Sequence, residues 1–231
     1  FSCNSDIGLC PTTASTMIIT AQIATAPAVA ITSTVFRSVF CCESVTRTKS
    51  SSPFNSTAAT GSTAFICQFN RTRLTLDTLT KQVRPGVTTG ELDDNAARLF
   101  AVHGARSAPA FTYGFPRTVL ISINDEIVHG IPGTRRIASG DIVKLDVTVE
   151  KDGYVTDAAR SVVVSPAGAT AHALATCAEA AFGAALAVAR SGMRVNEIGR
   201  AVEREVRRRG FSVIKGLAGH GVGRTIHEEP S

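Results

Sequence analysis

Asp141-Ile142-Val143-Lys144-Leu145-Asp146-Val147-Thr148-Val149-Glu150-Lys151-Asp152-Gly153-Tyr154-Val155-Thr156-Asp157 carries the clearest structural pattern in the chain. Val143, Leu145, Val147 and Val149 alternate with Lys144, Asp146 and Thr148, the period of a strand with one apolar face. Lys151-Asp152-Gly153 is a hairpin signal, and a second strand is expected from Tyr154 to Val164. Asp146 and Asp157 stand eleven residues apart across that turn. A two-residue loop puts both side chains on one face; a three-residue loop puts them on opposite faces unless a bulge re-aims one. Two carboxylates held together on an apolar sheet repel, and need a shared proton or cations. Divalent metals are the simplest compensation. On the pair alone, two unrelated aspartates on a solvated strand is the better reading.

Working outward, helices and short strands surround this hairpin without strict alternation, which argues for an α+β domain. Leu76, Leu79 and Val83 suit the end of a helix stopped by Pro85-Gly86. Thr88-x-x-Glu91 is a capping box, opening a helix with Leu92, Ala96, Leu99 and His103 along one face. His103 reads as a helix-end residue. Residues 118–128 read as strand and turn. Ala169 to Ala189 is an Ala-rich helix, with His172 solvated in its first turn and Cys177 a small buried hydrophobe. Asn196 is expected to cap a further helix that turns Ile198, Val202 and Val206 inward and closes at Gly210.

The last stretch, Gly219-His220-Gly221-Val222-Gly223-Arg224-Thr225-Ile226-His227-Glu228-Glu229-Pro230, changes the balance for the aspartates. It sets two histidines seven residues apart among glycines that let backbone approach a ligand. Oxygen ligands plus one imidazole suit manganese, iron, cobalt or zinc. His129, in Val128-His129-Gly130-Ile131-Pro132, and His227 then read as groups that donate hydrogen bonds to a substrate amide or a developing oxyanion.

These segments, together with Arg84-Pro85-Gly86-Val87-Thr88-Thr89-Gly90-Glu91-Leu92, resemble type I methionine aminopeptidase in order and spacing, over about Leu74 to Ser231. The resemblance implies the pita-bread fold, two similar α/β halves around a dinuclear site of divalent cations (Co, Mn, Fe or Zn). It implies that Asp146 chelates one metal, Asp157 bridges both and His220 binds the other, while metal-activated water attacks the first peptide bond. His129 and His227 would orient the scissile amide and stabilise the tetrahedral intermediate. Tyr113-Gly114-Phe115-Pro116 resembles the family's aromatic pocket segment, and Phe115, Leu120 and Ile226 are candidates for the apolar walls around a methionine side chain. The implied partners are nascent polypeptides beginning with Met and the ribosome, with the protein a cytoplasmic monomer that uses no specific nucleic acid and no membrane. Two rivals share the fold: an Xaa-Pro peptidase, against which His129-Gly-Ile-Pro and His227-Glu-Glu-Pro argue, and a pita-bread scaffold that binds without catalysing.

The family places two further glutamate ligands beyond the His-Glu-Glu-Pro motif, and the 231 residues here stop at that motif. The expectation is therefore a partial pita-bread fold, its C-terminal part missing, inactive as it stands.

Residues 1–73 differ in character. Residues 1–70 hold 23 Ser or Thr and five charged side chains, with no lasting periodicity. They are expected to be a non-homologous leader, disordered or frame-shifted; the uncharged run from Leu9 to Phe36 is broken by Pro27 and lacks the basic residues of a signal peptide. Elsewhere composition excludes little. Hydrophobic content of 44%, charged content of 19% and a net charge of +5 suit a soluble globular protein. The basic run Arg204 to Arg209 has no interleaved aromatics and reads as a solvated last helical turn. The six cysteines include no CxxC pair, and a reducing compartment is the easier reading.

Overall fold

Asp152 and Gly153 both adopt positive φ, 54° and 77°, the conformation of a two-residue hairpin turn matched to strand twist. The loop length left open by the sequence is thereby settled at two. The computed structural model describes residues 16–18, 21–25, 29–33, 57–190 and 192–229, with side chains from residue 69 onward. In chain order the elements are β1 (Thr16–Ile18), β2 (Ala21–Thr25), β3 (Val29–Ser33), α1 (Thr57–Gln82), α2 (Thr89–Val102), β4 (Arg106–Ser107), α3 (Ala108–Tyr113) and β5 (Leu120–Ile123). The hairpin β6 (Ile142–Lys151) and β7 (Tyr154–Val163) follows, then α4 (Ala169–Val188), α5 (Val195–Arg208), β8 (Ser212–Val213) and β9 (His220–Val222). The mixture is α+β. Most of the Ser/Thr-rich segment lies outside the described residues. Within it, β1 pairs β9, and β2 pairs both β3 and β8, all antiparallel.

β6 is the central strand. Along one edge it pairs β7 from Ile142↔Val163 to Lys151↔Tyr154; β5 and β4 pair it antiparallel as well, at Ile123↔Val143 to Leu120↔Asp146 and at Ser107↔Val149. One face is apolar. Ile121, Ile123, Val143, Leu145, Val147, Val149 and Ala158 pack there with Leu76 and Leu79 of α1 and Leu92, Ala96 and Phe100 of α2. Arg160 lies on this helix side and reaches Asp77 of α1 at 2.8 Å. The opposite face carries the rows Leu120–Asp146–Ala159 and Ser122–Lys144–Ser161. α1 and α2 thus cover one side of the sheet; on the other, the polar row ends at Ile142 and Val163, which pack against the α4–α5 cluster.

α2 begins with both hydrogen bonds of the capping box between Thr88 and Glu91. Its inward stripe is Leu92, Ala96 and Phe100, because a step of four from Ala96 reaches Phe100; Leu99, expected on that face, is half-buried. His103 is the C-cap, and its carbonyl accepts from Lys151 Nζ at 2.7 Å. α4 and α5 form a second cluster through Leu174, Cys177, Ala181, Phe182, Ile198, Val202 and Val206. α4 is long and apolar enough to cross a membrane, but its stripe packs on α5. Cys177 is fully buried, and desolvation raises its thiol pKa. Asn196 does not cap α5. Arg194 holds that position and makes no side-chain cap bond, which puts Asn196 at the second helical residue. The other end closes as expected: Gly210 takes φ 81°, its N–H reaches the Arg207 carbonyl and the Phe211 N–H reaches Val206, a Schellman closure.

Candidate functional site

The register Thr148↔Asp157 and Asp146↔Ala159 puts Asp146, Thr148 and Asp157 on the polar face, with the aspartates as diagonal cross-strand neighbours. The two carboxyls lie close enough for each to shift the other's pKa, and Thr148 Oγ1 donates to Asp157 Oδ1 at 2.9 Å. Burial and then the Asp157 charge push the Asp146 pKa well above the carboxylate range. Burial raises Asp157 too, while the Thr148 hydrogen bond, His220, the bond to Asp146 and His227 pull it back. Burial and mutual repulsion thus make this a place where a proton or a cation offsets the carboxylate charge.

His220 and His227 come from one folded-back loop. Gly221 and Glu228 exchange backbone hydrogen bonds at 2.9 and 3.0 Å, and the Gly223 carbonyl accepts from the Val155 N–H of β7 at 2.7 Å. The loop is thus docked on the hairpin that carries the aspartates. The two imidazole centroids stand 4.2 Å apart at 47°. His220 Nδ1 lies 3.0 Å from the Gly221 carbonyl oxygen, which only accepts, so Nδ1 is the donor, and in a neutral ring Nε2 is the nitrogen with the lone pair. His227 Nδ1 faces the Tyr113 hydroxyl at 2.8 Å. Desolvation first, then His220 and His129, lower the His227 pKa, and Asp157 opposes them.

His129 sits at φ 60°, exposed, in the connection after β5. Its neighbour Gly130 fixes it: the Gly130 N–H donates to Ser122 Oγ at 2.9 Å and its carbonyl accepts from Ile121 N at 3.0 Å. A Cβ on Gly130 would collide with the Ile121 carbonyl. Lys144 Nζ donates to the carbonyls of Asn124 (2.8 Å) and Glu126, pinning the turn that leads to His129. Desolvation lowers the Lys144 pKa to about 8.

The candidate pocket residues divide. Leu120 is buried directly beside Asp146 in the next strand. Ile226 is buried with Ala108, Val155 and Val222. Tyr113 ends α3, 61% exposed, and is bound to His227. Phe115 lines an open cleft of about 560 Å³ with Asp93, Phe100, Arg106 and Arg117, which none of the aspartates or histidines above lines.

The donor chemistry fits a divalent cation. Two carboxyls raised by burial, Asp146 also by the charge of Asp157, lie near an imidazole whose Nδ1 is tied to a carbonyl, the usual arrangement for a histidine ligand. Among the described residues, no three His, Cys, Asp or Glu side chains form a closed metal group by themselves. Sequence reasoning passed over three supporting residues. Thr148 was signalled by its parity with Asp146. Lys144 acts on the Asn124 and Glu126 carbonyls, far from it in sequence, whereas Glu228 acts on backbone three and four residues before it, within its own loop.

The model for metallopeptidase family M24 matches residues 68–231. The chain is 43% identical over 159 residues to methionine aminopeptidase 2 of Bacillus subtilis, covering 68% of this chain and 64% of that protein. It is 42% identical over 156 residues to a methionine aminopeptidase of Staphylococcus epidermidis, covering 67% and 62%. The chain therefore spans less than two thirds of the length of these curated relatives. Among solved structures, the methionine aminopeptidase of Rickettsia prowazekii superposes with a TM-score of 0.72 at 32% identity, over 75% of this chain and 70% of that one. A prolidase from Pyrococcus horikoshii, at 18% identity and a TM-score of 0.64 over 74% of this chain and 48% of that one, shares the pita-bread fold.

Proposed function

From the premise that the chain belongs to metallopeptidase family M24, we propose that it forms part of the catalytic domain of a divalent-metal-dependent methionyl aminopeptidase, which removes initiator Met from nascent polypeptides. The observation that carries the reading is the Asp146–Asp157 pair on one sheet face, with His220 and His227 near enough to shift the Asp157 pKa. Asp146, Asp157 and His220 would hold two divalent cations, drawn from Co, Mn, Fe and Zn. Such ions, when bound, supply a Lewis acid and a water activated at neutral pH.

This chain's own side chains do the rest. With Tyr113 donating to Nδ1, His227 presents Nε2–H as a donor for the carbonyl oxygen as it gains charge. His129, on a loop fixed by Gly130 and Lys144, donates to the scissile amide from the other side. Leu120 and Ile226, with Tyr113 at the rim and Phe115 beyond it, are the apolar groups toward a methionine side chain. Such an enzyme works as a monomer in the cytoplasm, near the ribosome where its substrates emerge.

On this reading Asp146, Asp157 and His220 by themselves are too few ligands to hold two ions for turnover. Two aspartates leave two divalent ions with a local charge of about +2 and few ligands. The test uses Met-Ala-Ser with added Mn²⁺ or Co²⁺. This chain should release no Met. A chimera extended by the C-terminal portion of the Bacillus subtilis relative should, and D157N or H220A should abolish it. A folded, Co²⁺-binding chimera that leaves the tripeptide intact would refute the assignment.

A further inference from the structure

The His-Glu-Glu-Pro segment contains a carboxylate that the proposed chemistry does not use. Glu228 Oε2 accepts from the Arg224 N–H at 3.1 Å and the Thr225 N–H at 3.3 Å, and lies 3.3 Å from the Thr225 hydroxyl, whose one proton goes to the His227 carbonyl at 2.9 Å. Its own backbone exchanges hydrogen bonds with Gly221, one residue after His220, and its own position is one residue after His227. The carboxylate fills the inside of the loop. A Cβ on Gly223 would strike Glu228 Oε1, and one on Gly221 would lie 2.6 Å from the Glu228 carbonyl. The outside of the same loop is fastened to the hairpin: the Arg224 guanidinium stacks on Tyr154, 3.9 Å from the ring centre, and donates to its hydroxyl at 2.9 Å.

We propose that Glu228 is a positioning residue, closing the 220–228 loop from within so that the imidazoles of His220 and His227 are held at their 4.2 Å separation and 47° tilt. Without the carboxylate, the Arg224 and Thr225 N–H groups lose their common acceptor, and the turn between Gly223 and His227 loosens inside the Gly221–Glu228 backbone pair. The two rings then have no fixed spacing, although β6 and β7 keep their ladder. The proposal deepens the metal-site reading, but it rests on ring geometry alone, and its readout is taken without metal.

The experiment is ¹⁵N-histidine and amide NMR of the full 231-residue chain, metal-free. The unaltered chain should give an NOE between His220 and His227 ring protons. E228A should lose that NOE while the β6 and β7 amide pattern stays; E228Q, which keeps one acceptor oxygen, should restore it. In a second arm, Zn²⁺ affinity should fall about tenfold in E228A and recover in E228Q. Should E228A fail to fold, G223A expels the carboxylate from the loop and is expected to lose the NOE in the same way. Retention of the NOE with unchanged histidine shifts in a folded E228A overturns the proposal. So does loss of the β6 and β7 pattern in both variants, since Glu228 would then support the fold at large.

Discussion

Tyr113 and His227, 114 residues apart in the chain, meet through a 2.8 Å hydrogen bond between the phenol oxygen and Nδ1. The contact joins the end of α3 to the loop that carries both histidines. A phenol that donates to Nδ1 leaves the proton of a neutral His227 ring on Nε2. Y113F should therefore shift the ¹⁵N signature of the His227 ring. Because the bond is solvent-exposed, stability should change by no more than about 1 kcal/mol in denaturant unfolding. An unchanged ring spectrum in Y113F would remove Tyr113 from the site.

Gly130 has no room for a side chain, since a Cβ would overlap the Ile121 carbonyl and approach Ser122. Both obstacles are strand backbone, which cannot yield as a flexible side chain can. G130A is expected to cost about 3 kcal/mol, at the upper end of overpacking effects. The His129 resonances should move furthest. A variant as stable as the parent would mean the 128–132 segment stands off from β5.

Asp93 offers a pH test remote from the aspartate pair. Its Oδ1 accepts from the Thr118 and Val119 N–H groups, both at 2.8 Å, yet burial raises its pKa above the ordinary carboxylate value. The folded protein then binds this proton more tightly than the unfolded chain, so stability falls as pH rises. The window runs from about 4, where the unfolded carboxyl ionises, up to the raised native value. Asparagine keeps the accepting oxygen and loses the titration, so D93N should flatten that slope. D93A leaves two donors without their acceptor and should cost about 1–3 kcal/mol. Urea midpoints across pH 3.5–7 measure both, and a D93N profile parallel to the parent would refute the assignment.

Metal should stabilise the chain through Asp157. At a free Mn²⁺ or Co²⁺ concentration of one hundred times Kd, the gain expected is about 2.7 kcal/mol, read as a rise in Tm and reversed by chelator. D157N and H220A should abolish most of it. A shift that survives both substitutions would locate the ion elsewhere.

The hairpin, the helix capping box and the Ala-rich helix were legible because each depends on neighbours in sequence: alternation at Val143 to Val149, Thr88 with Glu91, and the uniform apolar run of α4. The facing of Asp157 was legible only conditionally, since the backbone angles of Asp152 and Gly153 decide it. Phe100 displaced Leu99 because packing against the sheet selects the exact helical phase. Asn196 fell inside α5 because helix starts depend on the preceding loop, not on the best capping side chain nearby. Thr148 and Tyr113 gained their roles from partners that only the folded chain supplies.

The turn at Asp152-Gly153 ties the site to a count of residues more than to their kinds. Any pair able to hold positive φ there keeps Asp157 beside Asp146. One residue inserted or deleted would rotate the rest of β7 by half its period, sending the Asp157 carboxyl toward Leu79 and Leu145 and bringing Ala158 out in its place. Substitutions and length changes are thus unequal hazards for this turn. Descendants of the gene can drift freely in one dimension and hardly at all in the other.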